Sequence, residues 1–144
     1  MMPPTERTGR CLCGNVRFTF EPAAPEVDAC HCTMCRRWSG GPGLSIRAAS
    51  TPIIEGAKHI AVFRSSDWGE RHFCKTCGSH LFYNAPSFGY FGVSAGTLDD
   101  LDGLTLTSEI FIDYKPDLYT FANTTHKMTE AEFQASLNGQ TETK

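Results

Sequence analysis

The sequence predicts a mainly β fold closed by one short C-terminal helix, and three observations predict it. Val16, Phe18 and Phe20 alternate with Arg17 and Thr19, the period-2 pattern of a strand with one buried face. Further short apolar runs follow, each bounded by Gly, Pro, Ser or Asp. Thr129 and, three residues on, Glu132 form a capping-box pair ahead of Phe133 and Leu137, which places a helix at the C-terminal end.

In chain order, residues 1–8 read as a flexible polar N-terminus. Cys11 and Cys13 are expected to begin the first strand, where residues two apart face the same side and both sulfurs aim one way. Residues 30–43, CHCTMCRRWSGGPG, break the pattern and read as a metal-binding loop. Strands are expected over 59–63, 71–74, 80–83, 90–93 and 105–112, and the final helix should stop at Gly139. Residues 9–139 then form a single domain, with 140–144 a loose tail.

The bulk properties agree with that plan. A chain of 144 residues with 40% hydrophobic content can bury one core. A formal charge of -3 and a pI near 5.9 provide no basic footprint, so no nucleic-acid partner is expected. No apolar run is long enough to span a membrane. Residues 1–10 lack the apolar core of a secretory signal, so a cytoplasmic location is expected. In a reducing compartment clustered thiols are metal ligands more often than disulfides.

All 7 cysteines fall in three clusters: Cys11/Cys13, Cys30/Cys32/Cys35 and Cys74/Cys77. Structural zinc takes four thiolates at about 2.3 Å, whereas catalytic zinc keeps three protein ligands and an open position. One partition joins Cys11, Cys13, Cys74 and Cys77 as a closed site and leaves Cys30, Cys32 and Cys35 as an open one. A second pairs the Cys32/Cys35 and Cys74/Cys77 knuckles around one ion and leaves Cys11, Cys13 and Cys30 free. The first is preferred because it uses every thiol.

The strings GRCLCGNVRF (9–18), CHCTMCRRWSG (30–40), FCKTCGSHLFY (73–83) and VSAGTLDD (93–100) resemble the signatures of a known family. It is the glutathione-dependent formaldehyde-activating enzyme (GFA) family, also called centromere-protein-V-like; residues 110–119 loosely resemble a further segment. The resemblance implies a Mss4-like zinc-binding β fold with short helical segments and two Zn²⁺. It assigns Cys11, Cys13, Cys74 and Cys77 to a structural zinc and Cys30, Cys32 and Cys35 to a catalytic one. The implied activity is that of a carbon-sulfur lyase, joining glutathione and formaldehyde as S-(hydroxymethyl)glutathione. The implied partners are therefore a small thiol and an aldehyde.

Three thiolates weaken a zinc as a Lewis acid, but the site can still hold an incoming thiol as its nucleophilic thiolate. Arg36, directly after the cluster as in the family loop, is the candidate contact for a glutathione carboxylate. Arg37 is expected in solvent, and nothing in their spacing selects Arg47, Arg71 or Lys75 over solvated surface charges. His31, between two ligands, should point away from the metal. His59, His72, His80 and His126 lack ligand spacing, although His72 and His80 flank the CxxC knuckle and could donate to its sulfurs. Gly14 and Gly78 are expected at positive φ. Trp38, Phe82, Tyr83, Phe88 and Tyr90 either line a cleft or pack the core.

The competing class is a non-catalytic binding module with two structural zincs, which needs a fourth ligand from Asp28, His31 or Ser39. Methionine sulfoxide reduction would need a redox cysteine outside the zinc clusters, and no cysteine follows Cys77.

Overall fold

The computed structural model of the protein describes residues 5–142, with side chains through Leu137. In order, the strands are β1 (Arg7–Arg10), β2 (Arg17–Phe20), β3 (Glu26–Cys30), β4 (Gly43–Arg47), β5 (Ile53–Glu55), β6 (Ile60–Arg64), β7 (Glu70–Cys74), β8 (His80–Ala85), β9 (Tyr90–Ser94), β10 (Thr105–Ile110) and β11 (His126–Met128). Two α-helices join them, α1 (Thr33–Ser39) and α2 (Glu130–Glu142). The fold is mainly β, as the alternation and short runs predict.

The chain divides into two compact units, Met1–Glu26 with Ser45–Leu104 and Val27–Leu44 with Thr105–Lys144. The first unit holds two sheets, one of order β1-β2-β5 and one in which β4, β9, β8, β7 and β6 lie side by side. The pairings are antiparallel, and the β7–β8 register shifts between His72 and Phe73. Strand β2 turns Phe18 and Phe20 inward and Arg17 outward. Phe18 meets Phe82 of β8 edge-on at 5.0 Å, so the two sheets share one core with Val16, Ile46, Leu81 and Val93. Burying each of these apolar side chains stabilises the unit by roughly 1.5–3 kcal/mol.

The second unit is built on β11, β10 and β3, with β11 parallel to β10. Strand β3 alternates buried Val27 and Ala29 with Glu26 and Asp28. Helix α2 begins at the predicted capping box: the Glu132 amide donates to Thr129 Oγ1 at 3.2 Å, and the Thr129 amide donates to Glu132 Oε1 at 2.8 Å.

Several expectations are corrected. Cys11 and Cys13 do not begin a strand; they lie in the turn between β1 and β2. A strand would carry residues two apart about 6.6 Å along its axis, too far for sulfurs sharing one ion, whereas the turn brings them to 3.6 Å. Residues 30–43 are not all loop, since α1 occupies Thr33–Ser39. Gly139 does not stop the last helix, which continues to Glu142; glycine within a helix costs about 1 kcal/mol but meets no steric bar. The expected tail is thus helical over 140–142, and 143–144 lie outside the described residues.

At the other end, 1–4 lie outside the described residues, while Arg7 and Thr8 are part of β1 rather than a flexible lead. Arg7 donates to the carbonyls of Asp100 and Asp102 at 3.1 and 2.7 Å, and Thr8 Oγ1 donates to Asp99 at 2.8 Å. These bonds, made across more than 90 residues of sequence, hold the segment in place.

Candidate metal centres

The first cysteine group is assembled from two turns. Gly14 at φ 83° donates its amide to the Cys11 carbonyl at 3.1 Å, closing the turn that carries Cys11 and Cys13. Gly78 at φ 78° does the same for Cys74 at 2.8 Å, closing the turn that carries Cys77. Both glycines are at positive φ as expected, a region open to glycine without strain. The four sulfurs lie within 4.8 Å of one another. Cys11 to Cys13 is 3.6 Å and Cys13 to Cys74 is 3.7 Å. Sulfurs on a tetrahedron of 2.3 Å bonds stand about 3.8 Å apart, so the spacing fits zinc.

Two residues that the spacing did not single out complete this group. Ser79 accepts from the Leu12 amide at 3.0 Å and lies 3.2 Å from Cys77 Sγ, so one hydroxyl joins both turns. That hydroxyl, the Ser79 amide and the Cys13 amide draw the Cys77 thiol down to about 5. Arg10 donates to the carbonyls of Cys11 and Leu12 at 3.2 and 3.1 Å. These two bonds tie the guanidinium to the turn. A serine after a CxxCG and an arginine before a CxC were the available signals.

The second group lies in the other unit. Cys30 ends β3, and Cys32 is the N-cap of α1, its sulfur accepting from the Cys35 amide at 3.3 Å. Sulfur here takes the place of the oxygen that usually caps a helix. Cys35 is one turn on, and the three sulfurs lie within 4.8 Å of one another. Contact with the Cys32 and Cys35 thiols, then burial, pushes the Cys30 thiol up. Three adjacent thiols cannot all ionise without a cation among them, so this donor set also fits a soft divalent metal.

Cys32 and Cys35 therefore group with Cys30 and not with Cys74 and Cys77. Among the described residues, no histidine, aspartate or glutamate joins either group. His31 points away from the sulfurs, its ring held by Glu109 and Tyr119 at 2.8 and 2.9 Å. Asp28 Oδ1 accepts from Ser108 Oγ at 2.6 Å. Ser39 ends α1 in an exposed position.

Arg36 and Arg37 are both exposed on α1, and Trp38 beside them is half-buried. Phe82, Tyr83, Phe88 and Tyr90 belong to the other unit, where Phe82 is core at 3% exposure. Arg71 is not a solvated charge: it is buried, donates to Ser65 at 3.1 Å and stacks over Tyr83 at 5.0 Å. Arg47 donates to the Gly89 carbonyl at 3.3 Å, and Lys75 is exposed. His72 Nε2 lies 3.5 Å from Glu70. Burial and then the Arg71 charge lower the His80 imidazole. Ser79 meets the knuckle sulfur of Cys77 at 3.2 Å.

A sequence profile described as glutathione-dependent formaldehyde-activating enzyme matches residues 6–114. An uncharacterized lyase of Schizosaccharomyces pombe is 31% identical over 134 residues, 92% of this chain and 97% of that protein. A Halomonas elongata protein, provisionally named a glutathione-dependent formaldehyde-activating enzyme, is 36% identical over 87 residues, 54% of this chain and 55% of that one. The crystal structure of a Rhodobacter sphaeroides protein superposes with a TM-score of 0.57 at 25% identity, covering 69% of this chain and 99% of that one.

Proposed function

The chain belongs to the glutathione-dependent formaldehyde-activating enzyme family, and from that premise we propose that it is a zinc-dependent carbon-sulfur lyase acting on a glutathione-aldehyde adduct. The observation that carries the reading is the composition of the second cysteine group. Cys30, Cys32 and Cys35 converge without a fourth histidine, cysteine or carboxylate among the described residues. Two of the side chains nearest in sequence, Asp28 and His31, bond elsewhere. A Zn²⁺ held there would supply an open position at which a substrate thiol is kept as thiolate.

The chain's own residues supply the rest. The three sulfurs hold the reacting centre, and Arg36 offers a fork of donors to a glutathione carboxylate. The substrate sulfur attacks the aldehyde carbon, a C–S bond forms, and the carbonyl π pair moves to oxygen, which takes up one proton to become the hydroxyl. The reverse step returns thiol and aldehyde. Cys11, Cys13, Cys74 and Cys77 would hold a second zinc, whose chemistry there is to maintain the fold.

The test is zinc per chain in protein prepared without chelator, together with the rate of S-(hydroxymethyl)glutathione formation above the uncatalysed rate. Two zincs and a clear excess rate are expected, with loss of that rate in Cys32→Ala. Two zincs without an excess rate for glutathione and any small aldehyde would overturn the enzyme reading in favour of a binding module.

A further inference from the structure

His31 joins neither cysteine group, yet it is the centre of a buried polar network. Its side chain is 0% exposed and that of Glu109 2%. Nε2 lies 2.8 Å from Glu109 Oε1, and Nδ1 lies 2.9 Å from the Tyr119 hydroxyl. Glu109 Oε2 accepts from Thr125 Oγ1 at 2.6 Å, with Lys127 Nζ 3.7 Å away. The rings of Tyr119 and Phe121 stand 5.8 and 5.9 Å from the imidazole. The His31 amide donates to the Ile110 carbonyl at 3.1 Å.

Stability alone does not account for this arrangement. Apolar residues of similar volume commonly stabilise a core as well as a buried polar pair, because the pair must first be desolvated. Position in the chain supplies a reason: His31 is the one residue between Cys30 and Cys32. Its main chain and both ring nitrogens are held, so the short peptide carrying two sulfurs is anchored at three points. Tyr119, Thr125 and Lys127 come from the part of the chain beyond the family match, which ends at residue 114.

We propose that His31, held by Glu109 and Tyr119, is a positioning residue that sets the spacing of the Cys30 and Cys32 sulfurs around a metal ion. This rests on the metal reading of the three-cysteine group given above. An ionised Glu109 only accepts, so Nε2 carries a hydrogen, and the second bond, between Nδ1 and the Tyr119 hydroxyl, leaves the ring one orientation. Carboxylate–histidine pairs orient ligands around many metals; here the histidine acts through the backbone and is not itself a ligand.

The test uses the full chain loaded with Co²⁺, whose thiolate absorption reports each group, with affinities from chelator competition. His31→Phe keeps the ring volume and loses both polar anchors, and Tyr119→Phe removes a single hydroxyl. The three-cysteine group of His31→Phe should bind cobalt about 10- to 100-fold more weakly with altered absorption, Tyr119→Phe less so, and His31→Gln should recover part of the loss. The four-cysteine absorption should persist as the sign of a folded chain; should His31→Phe lose it, Tyr119→Phe decides. Unchanged affinity and absorption at the three-cysteine group overturn the proposal.

A second arm needs no metal at the three-cysteine group. Phenylarsonous acid bridges neighbouring thiols, and its closure on Cys30 with Cys32 or Cys35, in chain whose four-cysteine group alone is filled, should slow about tenfold in His31→Phe, in line with the outer-shell effect. An unchanged rate overturns the positioning role. Wild-type chain that takes up one metal, at the four-cysteine group alone, overturns instead the reading of the open site, while the arsenical rate still decides the role of His31.

Discussion

Cys13 Sγ lies 3.7 Å from Cys74 Sγ, although 61 residues separate the two along the chain. Closing so long a loop is entropically costly, and four sulfurs held this close repel one another when ionised unless a cation lies among them. The binding energy of a metal held there would therefore be part of the folding energy of the unit that contains it.

Chelation should accordingly unfold that unit. Structural zinc contributes apparent binding energies of about 10–16 kcal/mol in small peptides, comparable to the whole stability of a domain, about 5–15 kcal/mol. Cooperative thermal melting followed by circular dichroism should disappear on chelator treatment and in Cys74→Ser. A chelated chain with an unchanged melt would contradict a structural role.

Two glycines pack against segments that carry the cysteines. Gly56 stands at φ 81°, and a Cβ there would run into the carbonyl oxygen of Asn15, at the end of the Cys11–Cys13 turn. Gly56→Ala should cost roughly 2–4 kcal/mol, from left-handed strain together with overpacking, and should weaken metal retention by the four-cysteine group. A Cβ at Gly43 would meet Cys35 Cβ at 3.3 Å and Sγ at 3.4 Å. Gly43→Ala should act instead on the three-cysteine group, with a smaller loss of stability. Urea denaturation and metal titration of both variants check the contrast.

The Glu109 carboxyl makes stability depend on pH in one direction. Burial by itself raises this group, but hydrogen bonds from Thr125 and His31 and the charges of His31 and Lys127 outweigh burial and hold it below 4.5. The native state thus binds fewer protons than the unfolded chain, so the contribution is present above the unfolded value and is lost as pH falls through the lower folded one. The urea midpoint of the wild type should drop steeply below about pH 4.5, and Glu109→Gln should flatten that limb. Parallel curves for the two proteins would sink the assignment.

Arg36 and Arg37 are adjacent and both exposed on α1, which makes each a control for the other. Loss of a charge-assisted contact of about 1.5 kcal/mol corresponds to roughly tenfold in KM. Arg36→Ala should raise the KM for glutathione by about that factor with little change in kcat, and Arg37→Ala should leave it near the wild-type value. Equal effects would remove Arg36 as the carboxylate contact.

What could be read directly was local. The capping box of Thr129 and Glu132, the alternation of Phe18 and Phe20, and the glycine turns at Gly14 and Gly78 depend on residues within a few positions of one another. Strands β1, β3, β4, β5 and β11 escaped because each is only three to five residues long, too short for a period to stand out. His126–Met128 is a strand because it pairs with Ser108, Glu109 and Ile110 of β10, a context no local pattern carries.

The sequence by itself determined that the chain carries its thiols in clusters able to hold a metal, and their number, since spacings of two or three residues leave neighbouring sulfurs little freedom to be apart. Tertiary structure decided which clusters come together. It also decided that the CxC is a turn, that Ser79 joins the two halves of one site, and that His31 is tied to Glu109, 78 residues away. Such pairings depend on how sheets and turns bring distant segments together, and the energy that selects them comes from buried apolar surface and satisfied polar groups, not from neighbours in sequence.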